Sequence, residues 1–313
     1  MITVFVNPRS RANRKHPELA RRLAQTVGDA GRVLASPTLE ALAEDARSLV
    51  APGSIPSVIA IHGGDGTLHQ TLTALLRAFE GGPPLPPIAI LGGGTMNVVS
   101  ASLGIRARAV PFLSHLASQL RRGSALKTVS RHCLRVGNQF GFVFGNGILA
   151  NFLVEYYAKP GYGTGRAVWL LAKLFVSALR GGALSERVFR RRGDRVSVDG
   201  KLLPFGDLTA VSAGTVREVG LRFKLNHRAD DDPDRFAVLA IHGSARTLIP
   251  DLFSVWMGRG ISPTRAYSAV ASELEIVPTD ADSPYTIDGD LYRLHAGLRI
   301  SLGPRLDFVD PRG

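Results

Sequence analysis

The sequence predicts an α/β fold, with an N-terminal doubly wound parallel sheet and a C-terminal β-rich domain built as an antiparallel sandwich. Three observations predict it. Apolar runs alternate with helically spaced segments up to about residue 121. Two of those runs end in glycine turns, after Ile61 and after Leu91. Beyond residue 127 the rhythm changes to short alternating runs, several separated by the hairpin signals Gly137-Asn138, Asp199-Gly200 and Asp288-Gly289.

In order, Ile2 to Val6 reads as a strand and Pro17 to Val27 as a polar, basic helix. Gly31 to Leu34 is a second strand, and Leu39 to Leu49 has helical spacing at Leu39, Leu42, Ala43, Ala46 and Leu49. Val58 to Ile61 is a continuous apolar run, as a strand buried on both faces requires. Leu68, Leu72, Leu75, Leu76 and Phe79 then mark one face of a helix ending at Gly81-Gly82. Ile88 to Leu91 is the fourth strand, Val98 to Leu103 a short helical segment, and Val110 to Arg121 a further helix. Strands are expected at Thr128 to Val136, Phe140 to Phe144, Arg195 to Val198, Leu208 to Ala213, Arg235 to Ile241 and Glu273 to Val277. Helices are expected at Ala167 to Leu179 and Thr247 to Met257. The domain division is 1–127 and 128–299, with about 300–313 as candidates to return to the first domain.

Lysine and arginine number 38 against 26 acidic residues, a surplus of +12 that draws polyanions: nucleotide phosphates, anionic membrane or nucleic acid. No RNA-stacking or zinc-finger pattern accompanies it, so nucleic acid is not an expected partner. The densest cluster, Arg187, Arg190, Arg191, Arg192 and Arg195, reads either as a charged hairpin edge or as a membrane-facing patch. Cys133 is the only cysteine, which excludes an internal disulfide and fits a reducing cytoplasm. Met1 to Arg9 reads as a strand running into Asn7-Pro8 rather than as a signal peptide. The greasiest stretch, Ala167 to Leu179, is interrupted by Lys173 and too short to span a bilayer, so any contact with an anionic membrane is expected to be peripheral.

The sharpest motif is Gly63-Gly64-Asp65-Gly66-Thr67, between a buried strand and an amphipathic helix. Glycines let backbone N–H groups approach phosphate oxygens, and the helix N-terminus adds partial positive charge. Thr67 is expected to cap that helix while Asp65 faces the cleft, holding magnesium through water or orienting a hydroxyl. The plainer reading is a tight turn in which Asp65 bonds its own backbone. Gly92-Gly93-Gly94-Thr95-Met96-Asn97 repeats the arrangement, and both turns open on the carboxyl edge of one parallel sheet, where Asn7-Pro8 also ends its strand. Neither turn is a Walker A loop or a dinucleotide fingerprint.

On these residues the chain resembles the diacylglycerol kinase catalytic-domain family, which includes sphingoid-base kinases and bacterial lipid kinases. Asn7-Pro8 with Ser10 resembles its opening motif, Gly63 to Thr67 matches its Gly-Gly-Asp-Gly-Thr signature, and Gly94-Thr95 with Asn97 matches its third motif. Ile287-Asp288-Gly289-Asp290 stands where the family usually has Asp-Gly-Glu. The resemblance implies a nucleotide-binding α/β domain and a β-rich domain with a cleft between them. It implies ATP and Mg2+ as cofactors, a lipid alcohol as acceptor, and transfer of the γ-phosphate to its hydroxyl. Asn7, Gly63, Gly64, Gly66, Thr67, Gly94, Thr95 and Asn97 would then bind the nucleotide. Asp65, Asp288 and Asp290 would be catalytic, with Asp65 also near the metal through water, and the base either Asp65 or Asp288.

Departures from the family pattern are Arg11 for a glycine, Gly92-Gly93 for Pro-Leu, Val98 for an aspartate, and Asp290 for a glutamate one methylene longer. They motivate one rival, a nucleotide or lipid sensor without turnover. The other rival is a kinase of a soluble hydroxyl compound, since NAD kinases share a similar motif. The acidic run Asp230-Asp231-Asp232-Pro233-Asp234 reads as a solvated turn. Histidines 62, 69, 132, 227, 242 and 295 have no metal-ligand spacing, and His62 lies beside the first glycine turn. The segments 167–179 and 248–257 read as core helices, with an acyl-facing or interfacial role as the alternative.

Overall fold

The computed structural model describes residues 1–92, 97–159 and 163–312. The chain divides into two compact units, Met1–Arg131 with Arg305–Gly313, and His132–Pro304. In the first unit the elements are β1 (Ile2–Val6), α1 (Arg11–Lys15), α2 (Glu18–Val27), β2 (Gly31–Ala35), α3 (Leu39–Ser48), β3 (Val58–Gly63), α4 (Asp65–Ala78), β4 (Ile88–Gly92), α5 (Val98–Ser102) and α6 (Ala109–Arg121). Next come β5 (Thr128–Val136), β6 (Gln139–Gly141), β7 (Val143–Asn146), α7 (Ile148–Tyr157), α8 (Thr164–Arg180), α9 (Ala183–Val188), β8 (Arg195–Val198), β9 (Lys201–Leu202) and β10 (Leu208–Gly214). The chain closes with β11 (Phe236–His242), α10 (Ala245–Leu248), α11 (Asp251–Met257), β12 (Ala266–Ala271), β13 (Glu273–Val277), β14 (Ser283–Ile287), β15 (Asp290–Leu294) and β16 (Leu298–Val309).

The first unit holds four parallel strands in the order β2-β1-β3-β4, with Phe308 beside Ile88 of β4. Every residue of β1 and β3 is buried, as largely apolar strands are when helices cover both faces. From β1 the chain goes to β2 on one side and returns to β3 on the other. Such a reversal leaves a crevice at the carboxyl ends of β1 and β3 where ligands bind in open α/β sheets.

The second unit stacks a six-stranded antiparallel sheet, β12-β11-β10-β7-β14-β15, on strands that include β13, β8 and β9. One apolar core joins them: Phe144, Val211, Phe236 and Ile287 meet Val196, Leu274, Ile276 and Ile300. The α/β and antiparallel halves are as the sequence predicts. Several details differ, among them α1, β12 and β16, which were not anticipated. The run Phe140 to Phe144 is two strands, because the chain leaves its pairing with β5 after Gly141 and joins β10 and β14 from Val143. The helix expected at 247–257 is two helices, since Pro250 has no N–H to continue the first ladder. Helices α7 and α9 carried no clear periodicity and were not anticipated.

Candidate active site

The glycine motif in the first unit is shaped by close approach. At Gly63, the end of β3, a Cβ would lie 2.4 Å from the Cβ of Thr67, so only glycine lets the first turn of α4 fold back on the strand. Gly64, in extended conformation, is the residue that caps α4, and Leu68 donates to its carbonyl. Thr67 therefore does not cap the helix as expected, because it already sits inside the first turn. Its hydroxyl instead accepts a 3.1 Å bond from the Asn7 side-chain amide. Asn7 is fixed in turn: its Oδ1 accepts from the Arg9 N–H at 2.9 Å, and its carbonyl accepts from the buried Asn13 side chain at 2.6 Å. The Asn7–Thr67 bond spans the β1–β3 crevice and joins two sequence motifs 60 residues apart.

Asp65 opens α4 with its carboxylate turned to α5. Oδ2 accepts from the Val98 N–H at 3.0 Å and Oδ1 from the Val99 N–H at 3.2 Å. The cause is local. Asn97, the cap residue of α5, is left-handed (φ 47°) and makes no side-chain cap bond, so the orphan amides take a carboxylate from outside the helix. Burial raises the Asp65 pKa above the ordinary carboxylate value, and the two backbone N–H groups oppose that rise by favouring the ionised form. His62 is buried in β3, with Nδ1 2.9 Å from the Leu91 carbonyl, and burial lowers its pKa while that carbonyl opposes the shift. Beside the Asn7–Thr67 bond lies a cleft of about 210 Å³ lined by Asn7, Arg9, Ser36, Thr38, Thr67 and Gln70 among others. Ser36, Thr38, Arg9 and Asn13 were missed from sequence because no motif spacing marks them. Gly94 and Thr95 lie outside the described residues.

Asp288 and Asp290 belong to the β14–β15 hairpin of the second unit. Asp288 (φ 48°) and Gly289 (φ 93°) form its two-residue turn, and Ile287 pairs with Asp290. The Asp288 carboxylate accepts from the N–H groups of Phe142, at 3.0 and 3.1 Å, and of Val143, at 2.8 Å. Its own N–H donates to the Val143 carbonyl, and the Tyr157 hydroxyl donates to the Gly289 carbonyl at 3.1 Å. Asp199-Gly200 repeats this construction, with Asp199 Oδ1 accepting from Ser272 and Glu273 at 2.9 Å each. Both carboxylates thus clamp a neighbouring strand.

Residues 1–128 match the family model described as the diacylglycerol kinase catalytic domain. That segment contains the first unit's glycine motif. No curated protein matches the chain. Over its whole length the fold is that of a Bacillus anthracis str. Sterne protein described as "a putative diacylglycerol kinase", with a TM-score of 0.72, 15% identity, and 99% and 96% of the two chains covered. A second structure from that organism, described as a diacylglycerol kinase, is similar at a TM-score of 0.64 and 14% identity over 99% and 96% of the chains.

The described residues hold no group of three His, Cys, Asp or Glu side chains suited to a metal ion. The acidic run 230–234 is neutralised rather than simply solvated: Asp230 faces Arg217, Asp231 faces Arg228, and Asp232 faces Arg235. Three of the five clustered arginines are likewise paired, Arg187 with Glu155, Arg190 with Asp280, and Arg191 with Asp207, while Arg192 is buried. That pairing favours a structural edge over a membrane patch at this cluster. Among the described residues no helix is long and apolar enough to cross a membrane.

Proposed function

We propose that the protein is a lipid kinase that transfers the γ-phosphate of ATP to a hydroxyl of diacylglycerol or a related lipid alcohol. The observation that carries this reading is the Asn7–Thr67 bond. It ties two motifs of a kinase-family domain together at the sheet's switch point, beside a cleft and a helix N-terminus. In helix geometry the N–H groups ahead of Leu68 have no partner within α4, and Gly64 and Gly66 put no Cβ in front of them. Phosphate oxygens are received there, and the cleft beside Asn7 takes the nucleotide's base and ribose. Gly94, Thr95 and Asn97 are assigned to the same nucleotide site.

Catalysis is assigned to Asp65, Asp288 and Asp290. One of the first two removes the acceptor's proton as phosphoryl transfer proceeds. Asp65, whose two carboxylate oxygens each accept one backbone N–H and keep further acceptor capacity, would hold Mg2+ through water. Such an ion supplies charge neutralisation at the transferring phosphoryl group.

The test is transfer from labelled ATP, with magnesium, to a panel of diacylglycerols, sphingoid bases, other lipid alcohols, NAD and a sugar alcohol. Label in a lipid product is the expected result. Label only in NAD or the sugar alcohol overturns the lipid assignment, and no label in any acceptor overturns the kinase assignment.

The two Asp-Gly turns provide an internal control. Asp288→Ala and Asp199→Ala each strip a carboxylate from two backbone N–H groups, and each is expected to cost roughly 1–3 kcal/mol in denaturant unfolding. Only Asp288→Ala is expected to abolish transfer in the folded protein. Equal activities of the two variants would reduce Asp288 to a strand clamp.

A further inference from the structure

Helix α8 carries two apolar stripes. Ala167, Leu170, Leu174 and Ala178 are buried, packing against residues such as Tyr156, Phe189 and Leu248. Away from that stripe, Trp169 (53% exposed), Phe175 and Leu179 (59%) stand in solvent with Val168 and Val176. A soluble helix normally needs only the first stripe. Helix α8 contains no acidic residue, and its basic residues Arg166, Lys173 and Arg180 recur about every two turns, on one line beside the exposed stripe. The Lys173 ammonium lies 4.2 Å from the centre of the Trp169 ring, at the boundary between the basic and apolar rows.

A second element of the same unit has the same character. On α11, Phe253 (66% exposed) and Trp256 (47%) stack at 6.2 Å, next to the exposed Met257. Arg246 and Arg259, both exposed, flank that segment. The one acidic residue of α11, Asp251, is buried and doubly bonded by Arg265. The chain's only two tryptophans therefore both lie exposed, each on a face bordered by cations.

We infer that the exposed faces of α8 and α11 dock the protein onto an anionic lipid bilayer. Amphipathic rings at the headgroup level, aliphatic side chains below them and cations beside the phosphates are what an interfacial helix requires. Each basic side chain near such a surface adds about a fivefold factor in partition. A protein partner would need acidic groups for the basic row, whereas an anionic bilayer supplies both the charge and the apolar layer. The choice of a bilayer as occupant rests on the lipid-kinase reading, which puts the acceptor in that layer.

The test uses the full chain without nucleotide. Vesicles of phosphatidylcholine alone, or with 30% phosphatidylglycerol, are sedimented with it, and tryptophan emission is read in parallel. Expected are binding to the anionic vesicles, weakening with salt, and a blue shift in each single-tryptophan variant, Trp169→Phe and Trp256→Phe. The variant W169Q/F175Q/L179Q is expected to keep its melting temperature and lose at least tenfold in partition, and K173E/R180E to lose binding to anionic vesicles. Unchanged partition of both variants overturns the inference. So does a wild-type dimer in gel filtration that W169Q/F175Q/L179Q converts to a monomer, since a second copy would then be the occupant. Transfer to a detergent-dispersed short-chain acceptor is measured separately. Transfer without vesicle binding removes the docking surface and leaves the kinase, and vesicle binding without transfer to any acceptor does the reverse.

Discussion

Asp65→Asn is expected to lower kcat/KM by about 10²- to 10⁴-fold while the protein stays folded, as loss of a base or charge-positioning carboxylate does. The fold survives because the asparagine carbonyl still accepts one of the two N–H groups, from Val98 or Val99, that the carboxylate holds. Asp65→Ala leaves both α5 amides without their partner and is expected to lose activity together with some stability. The pH profile separates chemistry from scaffolding. Burial raises the Asp65 pKa, so the acid limb of the wild-type profile should lie above the ordinary carboxylate range, with activity falling as the pH falls through it. Stability runs the other way for this group. A folded-state pKa above the unfolded value favours the fold at low pH, and that contribution is lost as the pH rises through the folded pKa. The acid loss of activity should thus occur with no loss of fold from Asp65, and Asp65→Asn should remove this limb. An Asp65→Asn variant with wild-type turnover would take Asp65 out of the mechanism.

Gly63→Ala is expected to be the most damaging single methyl in the first unit's site. Its Cβ would stand 2.4 Å from the Thr67 Cβ and 2.5 Å from both Thr67 γ atoms. No rotation of Thr67 relieves a clash with its Cβ, so β3 or the start of α4 must move. Overpacking of this kind costs roughly 1–3 kcal/mol, read as a lower denaturant midpoint at constant slope. The displaced helix turn should break the Asn7–Thr67 bond and weaken thermal stabilisation by ATP. Two controls define the effect. Thr67→Ala removes the bond without a clash, at about 1 kcal/mol. Gly165→Ala, where a Cβ meets nothing within 4 Å, should be neutral or slightly stabilising. Gly63→Ala matching Gly165→Ala in stability would show that the strand–helix turn is not held closed.

Much of the fold was legible because its signals are local. Burial on both faces makes β1 and β3 predominantly apolar runs, and a two-residue turn with two positive φ angles selects Asp-Gly at 199–200 and at 288–289. Helix α7 was illegible because Ile148 to Tyr157 is apolar nearly all round, which blurs any one-sided period. The glycine motif was equally visible, since a strand, a tight turn and a helix start leave their mark within a few residues. The partners of its side chains were not. Asn13 supports Asn7 through a backbone carbonyl, and any residue supplies a carbonyl, so no residue type announces the bond.

The sequence by itself determined most of the strands and helices, where the first glycine turn falls, and that Asp288 sits at a hairpin turn. Those properties depend on side-chain size, φ preference and hydrophobic period, all of which act over a few residues. Only the tertiary structure decided that Thr67 answers Asn7, that Asp65 holds the start of α5, that the arginines of 187–191 are spent on acidic partners, and that α8 keeps a second apolar face in solvent. Each of these depends on what packs opposite a side chain, and that is set by chain crossings many residues away.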